Sequence, residues 1–121
     1  MLADYLKLVG AEYVSKIRQK ADKLSKFSFL HINATKYGGG VAEILQNMIP
    51  LMNELGLKAD WNAFSASDAF FEISKKIHNA IQGNRDIHFS EKEIKAYLEQ
   101  GLKIYKEIKP NADFVVIHDP Q

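Results

Sequence analysis

Apolar residues Leu2, Leu6, Val9, Tyr13, Ile17, Ala21 and Leu24 recur at steps of three and four, the spacing of one face of an amphipathic helix, with Gly10 as its weak point. The pattern then changes. Phe27 to Asn33 (FSFLHIN) packs aromatic and β-branched residues into a short run and predicts the first strand. Gly38, Gly39 and Gly40 follow, after which Val41, Ile44, Leu45, Met48, Ile49, Met52 and Leu55 line a second helical face that Gly56 should end. Pro50 lies inside that helix and predicts a kink.

Leu57 to Phe64 reads as a second strand, weakened by imperfect alternation and by Asp60. Ser67 can cap a helix with Phe70, Ile73, Ile77, Ala80 and Ile81 on its buried face, ending at Gly83-Asn84. Ser90 and Glu93 have the spacing of a capping box, and Ile94, Tyr97, Leu98, Leu102, Tyr105 and Ile108 carry the next helix to Pro110. Phe114 to Ile117 (FVVI) is a continuous apolar run, the pattern of a strand buried on both faces. Strands alternating with helices need crossover connections. The expected fold is therefore α/β, a partial Rossmann-like parallel three-layer sandwich of about three strands and about four helices, in a single domain over residues 1–121. Three strands are few for this architecture, and the most apolar one comes close to the last residue, so the domain reads as incomplete.

Composition narrows the function. Sixteen basic and 15 acidic residues leave a net charge of +1, which argues against a nucleic-acid binder that must neutralise phosphates. The absence of cysteine excludes thiol redox chemistry and zinc-finger or disulfide scaffolds. No apolar stretch approaches the ~20 residues of a membrane span, and Asp4 and Lys7 interrupt any leader-like opening, so a cytoplasmic location and no membrane contact are expected.

Ligands of open parallel sheets bind at the carboxyl ends of the strands. Two segments stand there: the Gly38-Gly39-Gly40 loop, whose bare amides open a helix and could hold an anion or let a sugar approach, and His118-Asp119 after the last strand. Each has a plainer reading, as a tight turn without ligand. Glu43 occupies the position where a dinucleotide fingerprint needs glycine, and no P-loop lysine follows, so no NAD or other cofactor is expected. His31, inside the first strand, reads as a packed, hydrogen-bonded core histidine. His78 sits in a polar helix end with Asn79, Gln82 and Asn84, and His88 in a surface loop. Glu91 and Glu99 have a Glu-x7-Glu spacing known from glycosyl transfer, but a capping-box first turn and an exposed helix face explain them. No metal-ligating set is evident. Lys16, Lys20, Lys23 and Lys26 read as a solvated helix face.

The run KADKLSKFSFLHINATKYGGGVAEILQNMIPLMNELGLKADW, the later IHNAIQGN and the closing FVVIHDPQ together resemble the N-terminal domain of trehalose glycosyltransferring synthases. These are retaining, two-domain glycosyltransferases of the GT-B type, in family 4. The resemblance implies transfer of glucose from a nucleoside-diphosphate glucose to free glucose, giving trehalose, and the reverse. It places Gly38, Gly39 and Gly40 by the donor phosphates and acceptor, His118 and Asp119 at the cleft floor by the transferred sugar, and Asn79, Gln82 and Asn84 in acceptor-side or structural roles. It also implies a second, nucleotide-holding domain that nothing in this chain can represent, so the chain alone should be inactive. The other reading is a stand-alone ligand-binding or oligomerising module. An uncovered edge on the last strand would favour that reading through a homodimer.

Overall fold

The computed structural model describes residues 1–118. The elements run α1 (Leu2–Val9), α2 (Ala11–Leu24), β1 (Ser28–Asn33), α3 (Gly40–Glu54), β2 (Lys58–Ala63), α4 (Asp68–Ile81), α5 (Glu91–Ile108) and β3 (Phe114–Ile117). All three strands are parallel, in the order β2-β1-β3. The fold is α/β, as expected, with five helices among the described residues rather than about four. Gly10, at φ 82° and ψ 163°, adopts a conformation reserved for glycine, and the opening amphipathic pattern therefore splits into α1 and α2. Leu2 N–H ties α1 to Glu54 Oε2 of α3 at 2.9 Å.

Local signals set the ends of the other helices. Ser67 Oγ accepts from Phe70 N–H, and Ser90 with Glu93 forms the full capping box. Gly56 turns left-handed after α3, which passes through Pro50 without ending. Right-handed crossovers that leave β1 toward β2, then return past β1 to β3, travel in opposite directions, and so lie on opposite faces of the sheet. The α4–α5 face carries the core of Leu30, Ile32, Phe64 and Phe70, with Tyr97, Ile104 and Ile108 packed against it. His31 and Asn33 alternate onto the α3 face.

The two sheet edges are treated differently. On β2, the Asn53 side chain of α3 takes both backbone groups of Ala59, donating to its carbonyl at 2.8 Å and accepting its N–H at 2.9 Å. On β3, expected to be buried on both faces, the four residues Phe114 to Ile117 are each between 38% and 64% exposed. The reason is position: β3 is an edge strand with a neighbour on one side only. The facing stripe of α5 is uncovered as well, since Ile94, Leu98, Leu102 and Tyr105 are all exposed and no residue of α5 is buried. Besides the strand ladder and the Phe114 ring stacked on Phe29 at 5.2 Å, polar bonds fix β3 to β1: Ser28 N–H and Oγ–H both reach Asp113 Oδ2 at 2.7 Å, and Asp113 N–H returns to Ser28 Oγ at 3.0 Å. These bonds hold the Asp113 carboxyl below its ordinary pKa.

Candidate functional site

The connection leaving β1 heads toward β2, whereas β3 lies on the other side of β1, so the crevice between the carboxyl ends of β1 and β3 is a topological switch point. The Gly38–Gly40 segment and His118 both open from that end of the sheet. His118 N–H continues the ladder to Ile32 C=O at 2.8 Å.

The loop from β1 to α3 is built by its own polar groups. Asn33 is 1% exposed; its Nδ2 donates to Thr35 C=O at 2.7 Å and its Oδ1 accepts Trp61 Nε1–H from β2 at 2.7 Å. Thr35 Oγ1 donates to Tyr37 C=O and accepts Tyr37 N–H, while Gln46 of α3 reaches back to Lys36 C=O. With those carbonyls engaged, the chain turns through Gly38 (φ 73°) and Gly39 (φ 83°, ψ 153°) into α3. A Cβ at Gly38, Gly39 or Gly40 would meet nothing within 4 Å. Glycine is thus required at 38 and 39 by backbone angle, and at none of the three by internal packing. All three are exposed, and Gly39 caps α3 without a side-chain bond, so no capping side chain satisfies the helix's first amides.

His31, read from the sequence as a hydrogen-bonded core residue, is 6% exposed. Its Nδ1 lies 2.9 Å from His118 Nε2, with the ring centroids 5.2 Å apart and the ring planes within 22° of parallel, an edge-to-edge approach. Burial, and then the neighbouring His118, lower the His31 pKa. The strand register makes the pair: His31 faces Val116 across the ladder, and His118, two residues on, follows on the same face. Asp119 lies outside the described residues.

Asn79, Gln82 and Asn84 are exposed, and among the described residues no hydrogen bond joins them to the glycine loop or to His118. The ring stacks of Phe70 on Tyr97 and the bond of Lys76 to Glu93 make α4 and α5 antiparallel. Since α5 hands over to the amino end of β3, the far end of α4 lies toward the carboxyl end of the sheet, the end at which the glycine loop opens, though on the opposite face. The local bonds there are those of a helix end: Gly83 N–H to Ala80 C=O, Asn84 N–H to Asn79 C=O, and Asn84 Oδ1 accepting Asp86 N–H. Glu91 and Glu99 are exposed on α5, with Glu99 paired to Lys95.

An apolar cavity lies elsewhere. A groove of about 450 Å³ runs between α5 and the β3 side of the sheet, lined by Ile32, Leu98, Leu102, Tyr105, Val115 and Ile117 among others. Its lining is overwhelmingly apolar, without a charged group to act on a substrate, and it is better understood as uncovered core than as a reaction site. Among the described residues no three His, Asp or Glu side chains gather as a metal site, and no helix is long and apolar enough to cross a membrane.

Residues 31–121 match the family described as trehalose synthase, N-terminal domain. Over 99% of its length the chain is similar to a trehalose synthase of Thermococcus litoralis (43% identical), one of Pyrococcus horikoshii (42%) and one of Rubrobacter xylanophilus (35%). It spans 29% of the length of each of these relatives.

Proposed function

This chain belongs to the family of trehalose synthase N-terminal domains, and on that premise we propose that it is the amino-terminal part of a retaining glycosyltransferase that moves glucose from a nucleoside-diphosphate glucose onto glucose. The observation that carries the proposal is the convergence of the glycine loop and His118 at the switch point between β1 and β3. In this reading the amides at the start of α3, which no side chain caps beside the exposed Gly38, Gly39 and Gly40, meet the donor's phosphates, where a developing negative charge gains most from fixed N–H dipoles. His118 and Asp119 meet the transferred sugar. Asn79, Gln82 and Asn84 border the acceptor side from the far end of α4.

Activity then belongs to the longer polypeptide. The open edge of β3 and the apolar stripe of α5 support this, because both are surfaces that a further strand and helix would bury. A protein extending this chain to the length of its relatives should form trehalose from a nucleoside-diphosphate glucose and glucose, while residues 1–121 alone should not. In the longer protein, His118→Ala should lower turnover by about tenfold or more, the scale of one lost transition-state hydrogen bond. Unchanged turnover would remove His118 from the site. The same open edge also favours a second reading, a module that associates with a second copy of itself through β3.

A further inference from the structure

The His31–His118 contact joins two rings that each have one protonated and one bare nitrogen when neutral. The 2.9 Å bond between His31 Nδ1 and His118 Nε2 contains one proton, and the question is which ring owns it. If His118 Nε2–H donates, His31 must carry its own proton on Nε2. That nitrogen is buried and has no hydrogen-bond partner among the described residues. An orphaned buried N–H loses a full hydration bond and is rare in native proteins, whereas a bare acceptor left unpaired is better tolerated. If His31 Nδ1–H donates instead, the buried Nε2 is only a lone pair, and His118 accepts on Nε2 and carries its proton on Nδ1. A doubly protonated His31 is disfavoured by its burial and by the facing ring.

We propose that His31 is a positioning residue for His118: from inside the sheet it donates Nδ1–H to His118 Nε2, holding that ring in one orientation and in the Nδ1–H tautomer. A neutral histidine side chain in water prefers the opposite tautomer, Nε2–H, so the buried partner sets the choice. The consequence is chemical. A ring whose Nε2 is already engaged and whose Nδ1 carries hydrogen offers a donor, suited to a sugar hydroxyl oxygen or a developing negative charge, and cannot serve as a general base while the pair is intact. This consequence rests on the reading that His118 lines the sugar site. The tautomer itself does not.

The test is long-range proton–nitrogen correlation NMR on the 121-residue chain labelled with ¹⁵N-histidine, at a pH where both rings are neutral. Expected are a protonated Nδ1 and bare Nε2 on both His118 and His31. A protonated Nε2 on either ring would overturn the proposal. His31→Phe, which keeps a ring in the space and removes the donor, should return His118 to the Nε2–H form, and His31→Asn, whose amide nitrogen occupies the place of Nδ1, should restore Nδ1–H. An unchanged His118 tautomer in His31→Phe would equally sink the idea. Should His31→Phe fail to fold, the tautomers of the unaltered chain still decide. Adding glucose and a nucleoside-diphosphate glucose to the longer protein separates the two readings: if His118 keeps the Nδ1–H form but its resonances do not move, the sugar site fails and the positioning stands.

Discussion

Asn33 has almost no exposed surface, yet its amide is doubly engaged, joining the end of β1 to Trp61 on β2 and to the turn at Thr35. Truncating one partner of such a buried pair leaves the other unsatisfied, so Asn33→Ala should cost about 1–3 kcal/mol. Urea denaturation measures it, and an unchanged midpoint would mean that these bonds hold nothing. Titrating groups predict two steps of acid destabilisation. His31 is depressed in the folded state, so the unfolded chain binds its proton first; its contribution is whole above the ordinary value of 6.5 and is lost as pH falls from there through its lower native value. Glu93, pushed down to about 2 chiefly by the Lys76 hydrogen bond and then by Ser90, contributes fully above 4.5 and loses that contribution between 4.5 and about 2. Thermal unfolding across pH should show the upper step vanish in His31→Phe and the lower one shrink in Glu93→Gln, the remainder belonging to Asp113, whose carboxyl is also depressed. The polar character of these residues was legible in the sequence. Their pairing was not, because 87 positions separate His31 from His118.

At the scale of elements, the loop between β1 and α3 divides three identical residues into two kinds. Gly39 holds a backbone conformation essentially closed to other residues, so Gly39→Val should destabilise the fold by about 1–3 kcal/mol even though its side chain would enter open space. Gly40 is the first residue of α3 with ordinary helical geometry, and Gly40→Ala should leave stability unchanged or raise it by up to about 1 kcal/mol. Thermal melts of the two variants check both, and equal losses would contradict the assigned geometry. Gly40→Ala is therefore the better probe of ligand contact, since it adds a methyl group at the mouth of the loop without straining it. The caps at Ser67 and Ser90 and the stop at Gly56 lie within a few residues of what they terminate, and the sequence alone located them. Gly10 was visible too, but whether it bends or breaks a helix depends on the angle it takes.

For the whole molecule, the decisive feature is the difference between its edges. Asn53 blunts the β2 edge, while β3 leaves an apolar strand open beside the groove under α5. The 121-residue chain should self-associate as its concentration rises, by pairing through that edge. His118 N–H points toward β1, so Val116 N–H does as well, and the N–H of Val115 points outward by alternation. Val115→Pro should then suppress association without removing a ladder bond to β1. Sedimentation velocity at several concentrations distinguishes the two, and identical behaviour would place any association elsewhere. In a polypeptide of the relatives' length, amides of β3 should exchange slowly and the association should be absent.

Periodicity, caps and turn residues determined which segments are helix and which strand, and the alternation of the two made the sheet parallel. Those are short-range properties, settled by contacts within a turn or between neighbouring residues. Burial at the sheet's edge was beyond the sequence's reach: FVVI reads as a doubly covered strand because it is apolar, yet it lies exposed beside an uncovered stripe of α5, since burial depends on what packs against a segment rather than on the segment. The crevice between β1 and β3 and the shared proton of His31 and His118 likewise exist only once the crossover has brought distant strands side by side.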